Sequence, residues 1–294
     1  MSLLTGTYCD LTVERDSPFG YFLSDGEEDV LLHFSEQNYQ QVKIGDKLRV
    51  FLYNDHKGRA AATLHTPLIT LGETAFLEVK DYQAMMGFFL DNGLEKQILL
   101  PIADLPEDKA IWPSFGDTVL VKLVHDKQDR LLASLVKEEE DIQLFLEKRA
   151  SQNPQRNLKM NESVEGIVLK HLSVGTHLYL ENNQVGFLHR SEQNADLRLG
   201  QKLQVRVSFI REDGKLNLSV KPLKEESRIE DAERVLEILE ARGGAMPYWD
   251  KTQPDIIMEK LEMSKAAFKR ALGKLMKEGL VYQEAGWTYL TKQK

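Results

Sequence analysis

The stretch Gly200-Gln201-Lys202-Leu203-Gln204-Val205-Arg206-Val207 places a glycine ahead of a segment in which apolar and polar side chains alternate strictly. A period of two puts one row of side chains in a core and the other in water, the pattern of a half-buried β-strand. The same device stands at Gly45-Asp46 before Leu48-Arg49-Val50-Phe51-Leu52 and at Gly116-Asp117 before Val119-Leu120-Val121-Lys122-Leu123. Upstream of each lies another glycine among large residues, in Phe19-Gly20-Tyr21-Phe22, Met86-Gly87-Phe88-Phe89 and Val174-Gly175-Thr176-His177, followed by a second run of mainly apolar residues at Val30 to Phe34, Ile98 to Ile102 and Val185 to His189. Downstream comes a tight polar turn and a closing strand, over Asp55 to Leu64, Asp126 to Leu135 and Asp213 to Val220. Glycine-to-glycine spacings are 25, 29 and 25 residues; from the second glycine to the basic residue after the turn (Arg59, Arg130, Lys215) they are 14, 14 and 15. Three agreeing spacings identify an internal repeat.

Each unit offers about five short strands, with a longer connection before the fourth, which is the inventory of a small Greek-key barrel of the oligonucleotide-binding (OB) kind. Pattern alone fits an SH3-like barrel without a ligand equally well. After Pro222 the period changes to about 3.6. Ile229, Ala232, Val235, Leu236 and Leu239 form one stripe that ends at Arg242-Gly243-Gly244; a second helix starts near Pro254 and presents Ile256, Ile257 and Leu261. Ser264 caps a third over Lys265 to Glu278, with a core stripe of Phe268, Leu272 and Leu275 beside Ala271 and Met276, and Gly279 ends it. Val281 to Gln283 and Trp287 to Leu290 then read as a hairpin, the wing. The expected architecture is multidomain and mainly β: OB barrels over 1–66, 67–136 and 160–222, an acidic linker helix over 137–159, and an α+β winged-helix domain over 226–294. The linker helix carries Glu138 to Asp141 at its start, should stop before Asn153-Pro154, and should dock an apolar stripe of Ile142, Phe145 and Leu146 on a barrel.

Composition narrows the function classes. The 294 residues carry a net charge of −8 and one cysteine, Cys9, so intrachain disulfides and cysteine-rich zinc sites are excluded and a reducing cytoplasm is expected. Met1 to Asp10 shows no leader pattern and no apolar run approaches membrane-spanning length. The acid is uneven: residues 1–150 sum to −11 and residues 151–294 to +3, so a phosphate chain is favoured by the C-terminal half. There is no Gly-x-x-x-x-Gly-Lys-Ser/Thr loop, no His-Glu-x-x-His and no Gly-x-Ser-x-Gly elbow, and no enzyme, metal site or cofactor is expected. His171 and His177 do not read as a metal pair.

The third segment, Val164-Glu165-Gly166-Ile167-Val168, Gly186-Phe187-Leu188-His189-Arg190-Ser191, Gly200-Gln201-Lys202-Leu203 and Gly214-Lys215-Leu216-Asn217-Leu218-Ser219, resembles the RNA-binding repeat named after the largest small-subunit ribosomal protein, the S-one domain. In that family two aromatics around a Gly-x pair, a histidine in a Leu-His-x-Ser run, and an acid and an arginine bracketing the last turn form one RNA-touching face. The resemblance implies Phe19, Phe22, His33, Asp55 and Arg59 in repeat one. Repeat two departs, with Met86, Phe89 and Pro101 at three of those positions and only Asp126 and Arg130 kept, and is expected to be mainly structural. In repeat three Val174 and His177 replace the aromatics, His189 and Lys215 remain, and Arg211 stands where an acid is usual, a swap that adds charge and removes a stacking surface.

Such a cluster suits single-stranded RNA, because unpaired bases stack on rings while basic side chains follow phosphates. The bland reading of Phe19 and Phe22 is barrel packing, and of His33 and His189 a strand-end surface. In the third C-terminal helix Lys265, Lys269, Arg270, Lys274 and Lys277 face one acid, Glu278, as a phosphate-contacting or simply solvated face. Three such repeats followed by Met263-Ser264-Lys265-Ala266-Ala267-Phe268-Lys269-Arg270-Ala271-Leu272-Gly273 resemble the conserved virulence factor B family over nearly the whole chain. That resemblance implies non-catalytic RNA binding and an influence on virulence gene expression in Gram-positive bacteria. The expected partner is single-stranded RNA and no membrane. DNA bound through the winged helix, and the ribosome or an RNA-processing machine for which the chain is an adaptor, stand as alternatives.

Overall fold

Each repeat opens on a long strand that bends. In the computed structural model, which describes residues 3–152, 156–222 and 224–291 and only the backbone of 224–229, repeat one comprises β1 (Tyr8–Ser17), β2 (Gly20–Ser24), β3 (Asp29–His33), β4 (Lys47–Asn54) and β5 (Ala60–Thr63), closed into a barrel in the order β1-β2-β3-β5-β4. The first half of β1 pairs with β4 and its second half with β2, with a bulge between Val13 and Arg15. A bulge re-aims a strand, so one strand serves both sides of the barrel.

The second repeat glycine sits against that bulge. The Gly45, Gly116 and Gly200 amides donate to the carbonyls of Val13, Val79 and Val168 at 2.8, 3.0 and 2.9 Å. Their φ values of 90°, 84° and 75° lie in the left-handed region that only glycine enters without strain. The first repeat glycine has another cause. A Cβ on Gly20, Gly87 or Gly175 would lie 2.1, 2.0 or 2.4 Å from the carbonyl oxygen of Leu32, Leu100 or Leu188 on the neighbouring strand. Close approach of backbone, rather than of a base, explains these three glycines.

Repeat two contains β6 (Thr74–Gln83), β7 (Gly87–Leu90), β8 (Ile98–Pro101), β9 (Thr118–His125) and β10 (Leu131–Leu135), in the open order β10-β9-β6-β7-β8 and with the same bulge, between Val79 and Asp81. Its core joins β8 to β10 through Leu100, Leu131 and Ala133, but the parallel ladder that pairs Leu31 with Ala61 in repeat one is not formed here among the described residues. The amide of Leu131 donates to Asn54 Oδ1 of repeat one at 2.9 Å, and Asp104 Oδ2 accepts from Ser134 Oγ at 2.8 Å.

The linker helix α1 (Glu139–Gln152) follows, and then repeat three closes a barrel from β11 (Ser163–Leu172), β12 (Gly175–Leu180), β13 (Val185–His189), β14 (Lys202–Ile210) and β15 (Leu216–Ser219). Ile142, Phe145 and Leu146 are buried as expected, yet against two repeats rather than one: Leu120 and Phe76 of repeat two, and Leu169 and Tyr179 of repeat three. This corrects the expectation of a uniformly wet outer face on the alternating strands. Leu120 is covered by the helix, and Phe51, fully buried, packs edge-on against Tyr8 at 5.4 Å. Arg198 of repeat three also reaches Asp117 of repeat two at 2.9 Å. The three repeats therefore form one compact unit, Met1–Val220.

The second unit, Lys221–Lys294, holds α2 (Lys224–Ala241), β16 (Ala245–Met246), α3 (Pro254–Leu261), α4 (Lys265–Lys277), β17 (Val281–Glu284) and β18 (Trp287–Leu290), with sheet order β16-β18-β17. Ser264 Oγ accepts the Ala267 amide at 3.1 Å and caps α4. Ala232, Val235, Leu239, Ile257, Leu261, Phe268, Ala271, Leu272 and Leu275 make the core. The Ile229 side chain lies outside the described residues. Two expected core residues, Ile256 and Met276, are exposed, because they fall one position off the buried stripe of their helices. The strand β16 carries no periodic signal and was not expected. No helix of the described residues is long and apolar enough to cross a membrane.

Candidate nucleic-acid interface

Repeat one gathers four of its five expected residues in one hollow of about 610 Å³, with Phe22, His33, Asp55 and Arg59 in its lining. The strand period is the reason. Leu23 and Leu32 point into the barrel, so Phe22 and His33 point out of it. Phe19 stands apart, two-thirds exposed at the tip of the β1–β2 hairpin. Phe22 is only half-buried, but one face of its ring is already occupied: the Arg15 guanidinium lies 3.6 Å from the ring centroid and is itself paired with Asp29 at 3.2 Å.

His33 has a local task as well. Its Nδ1 accepts the Ser35 amide at 3.2 Å at the start of the single turn Phe34–Gln37. An amide can only donate, so in the neutral ring the proton sits on Nε2, which is left as a donor. His189 repeats this with the Ser191 amide at 3.1 Å. Asp55 is a turn organiser and a clamp. Its Oδ1 accepts the amides of Lys57 and Arg59 at 2.8 and 2.9 Å, and its Oδ2 accepts from Arg59 Nε at 2.9 Å and Nη2 at 2.6 Å. Partial burial alone would raise the Asp55 carboxyl, but these bonds hold it below the ordinary carboxylate value. The acid thus aims Arg59, whose side chain is two-thirds exposed. Asp126 and Arg130 repeat the same clamp in repeat two.

Tyr53 and Lys96, which line this hollow, and Arg15, which packs on its Phe22 ring, escaped the sequence reading. Strict alternation puts Arg15 in the inward row with Leu11 and Val13, and only the bulge between Val13 and Arg15 turns it outward; Tyr53, two residues before Asp55, shares the outward row and could have been found by period. Burial, followed by the carboxylates of Glu36, Glu95 and Asp55, pushes the Tyr53 phenol far above its usual value. Lys96 belongs to repeat two and gave no local signal. Its Nζ donates to the carbonyls of Asn54 and Asp55, each at 2.8 Å, and burial lowers its pKa.

Repeat two presents Met86, Phe89 and Arg130 around a smaller hollow of about 460 Å³ that it shares with Asn54, His56 and Lys57 of repeat one. In repeat three His177, Arg211 and Lys215 line a hollow of about 650 Å³. His189 lies beside it, and Val174 is exposed at the hairpin tip. The expected loss of stacking surface is corrected by Phe187, whose ring stands between those of His177, at 5.9 Å, and His189, at 6.2 Å, both edge-on. The aromatic has moved from the second strand to the third. Phe187 and His189 share one face at spacing two, a signal that was there to be read. The missing acid is also replaced, since Asp213 lies 3.5 Å from Arg211 Nε and 4.0 Å from Lys215 Nζ. Burial holds His177 below its ordinary value, while Glu139 on α1 pulls it upward.

In the second unit Lys269 and Lys277 are exposed, Lys265 and Lys274 half-buried. Arg270 lies 4.0 Å from Asp231, and Lys274 lies 3.9 Å from Glu278. The wing adds an unexpected row of rings: Tyr282 stacks on Tyr289 at 5.2 Å and Trp287 on Tyr289 at 6.3 Å. Among the described residues no group of three or more His, Cys, Asp or Glu side chains could hold a metal ion.

Residues 5–65 match the S1 domain family, residues 74–134 the family described as CvfB first S1-like domain, residues 148–222 that described as virulence regulatory factor CvfB, second domain, and residues 233–290 the CvfB-like winged helix domain. The chain is 40% identical to the uncharacterized protein YitL of Bacillus subtilis, over 99% of this chain and 95% of that protein. It is 34% identical to conserved virulence factor B of Staphylococcus aureus, over 90% of this chain and 87% of that one. A crystal structure of a multidomain protein with nucleic acid binding domains from Streptococcus pneumoniae superposes with a TM-score of 0.64 at 34% identity, covering 98% of both chains.

Proposed function

Because the chain belongs to the conserved virulence factor B family, we propose that it is a non-catalytic protein that binds single-stranded RNA and thereby influences gene expression. The observation that carries this reading is the recurrence, on the same face of repeats one and three, of a hollow that joins a half-buried ring to exposed cations: Phe22 with Arg59, and Phe187 with Arg211 and Lys215. A ring offers a flat face to an unpaired base, and flanking cations follow its phosphates. A duplex keeps its bases stacked and hidden from such rings. Reading DNA through α4 is the second possibility, favoured by the exposed Lys269 and Lys277.

Fluorescence anisotropy with single-stranded RNA, single-stranded DNA and duplex DNA of one length, at one salt concentration, tests the proposal. Single-stranded RNA should bind most tightly. Equal or tighter binding of duplex DNA overturns it in favour of the winged helix.

A further inference from the structure

The hollow of repeat three has one feature that repeat one lacks: α1 forms its far wall. Arg211 and Lys215 stand on the barrel side, while Glu139, Gln143 and Glu147 stand on the helix side, with Phe187 between. Both glutamates are exposed, and neither forms an ion pair with a described residue. Asp213 also lies on the barrel side, near Arg211 and Lys215, and offsets one of the two cations, so the barrel rim stays net positive while the helix rim carries two carboxylates.

The helix that carries the acidic rim is anchored. Between Glu139 and Glu147 the helix buries Ile142, Phe145 and Leu146 against two repeats at once. Asp141 is held by Lys122 at 3.1 Å, and Lys148 holds Glu73 at 2.6 Å. A fixed acidic wall does not act as a displaceable plug. It is a permanent condition on what the groove accepts.

We propose that Glu139 and Glu147 make the repeat-three groove selective for single strands over duplexes. The inference rests on the reading that this groove binds single-stranded RNA. A single strand carries phosphates along one edge and bases along the other, so it can lay phosphates on Arg211 and Lys215 and turn its bases to Phe187 and the helix. A duplex carries phosphate chains on both sides. Whichever chain meets the cations, the other faces Glu139 and Glu147, and like charges brought face to face are disfavoured.

The test uses the full chain, a short unstructured RNA, and the same strand annealed to its complement. Three proteins are compared: wild type, Glu139→Gln with Glu147→Gln, and Glu138→Gln with Glu140→Gln. The last makes the same change in net charge at acids that do not line the groove. The groove variant should gain duplex affinity on the order of tenfold and single-strand affinity less than about threefold, so that the preference shrinks. The control variant should gain equally for both. An unchanged preference in the groove variant, or the same shrinkage in the control, overturns the inference and leaves the functional reading standing. Wild type with no preference for the single strand overturns both.

Discussion

Phe22 and Leu23 are neighbours on β2 that point to opposite sides of the barrel wall, and replacing each by alanine separates recognition from folding. Leu23 is fully buried, so Leu23→Ala should cost about 2–5 kcal/mol of stability through reduced burial and a residual cavity. Phe22 is half-buried on the outside and packs closely on Arg15 at 3.6 Å. An exposed cation–π pair contributes roughly 0.5–1 kcal/mol, and partial burial adds a similar amount, so Phe22→Ala should cost about 1–2 kcal/mol, below the Leu23 change. If the ring receives a base, Phe22→Ala also weakens binding by about 1–3 kcal/mol, roughly 5- to 150-fold in Kd. That weakening should be nearly independent of salt, because stacking releases no counterions. Urea denaturation and RNA anisotropy on both variants decide the matter. A Phe22→Ala protein that unfolds as early as Leu23→Ala, yet while folded binds RNA like wild type, would refute the assignment of Phe22 to the interface.

Asn54→Ala should destabilise the fused repeats by about 1–3 kcal/mol, since the buried Leu131 amide is deprived of its acceptor at 2.9 Å; urea denaturation with an unchanged m-value would support this. Asp55 and Asp126 have depressed carboxyl pKa values on folding, Asp55 chiefly through Arg59 against the effect of burial, Asp126 first through the Arg130 amide. Their contribution is complete above the ordinary aspartate pKa of about 3.9 and drains away as pH falls through the lower folded values. Acid unfolding of Asp55→Asn with Asp126→Asn should accordingly be less steep below about pH 4 than that of wild type, and an identical acid limb would refute the linkage. Replacing Lys269 and Lys277 by Ala should flatten the dependence of log K on log salt by about 0.7 for each phosphate no longer neutralised, and an unchanged slope would remove α4 from the RNA surface.

The sequence alone determined the repeat, the succession of strands along it and the helices of the second unit. Those features are written in local rules: period-two alternation, a glycine where φ must be positive at Gly45, Gly116 and Gly200, a cap at Ser264. The family resemblance read from it also pointed to Phe22, His33, Asp55 and Arg59, which share a face once the barrel forms. Tertiary structure alone decided what lies across from them. Lys96 reaches the first hollow from repeat two, α1 walls the third with Glu139 and Glu147, and Asn54 of repeat one takes the buried Leu131 amide of repeat two. These bonds join residues about forty to eighty positions apart on separate repeats. No spacing within a repeat encodes them; they depend on how whole barrels pack, repeat one on repeat two through Tyr53 and repeat two on repeat three through Leu120, Phe145 and Tyr179.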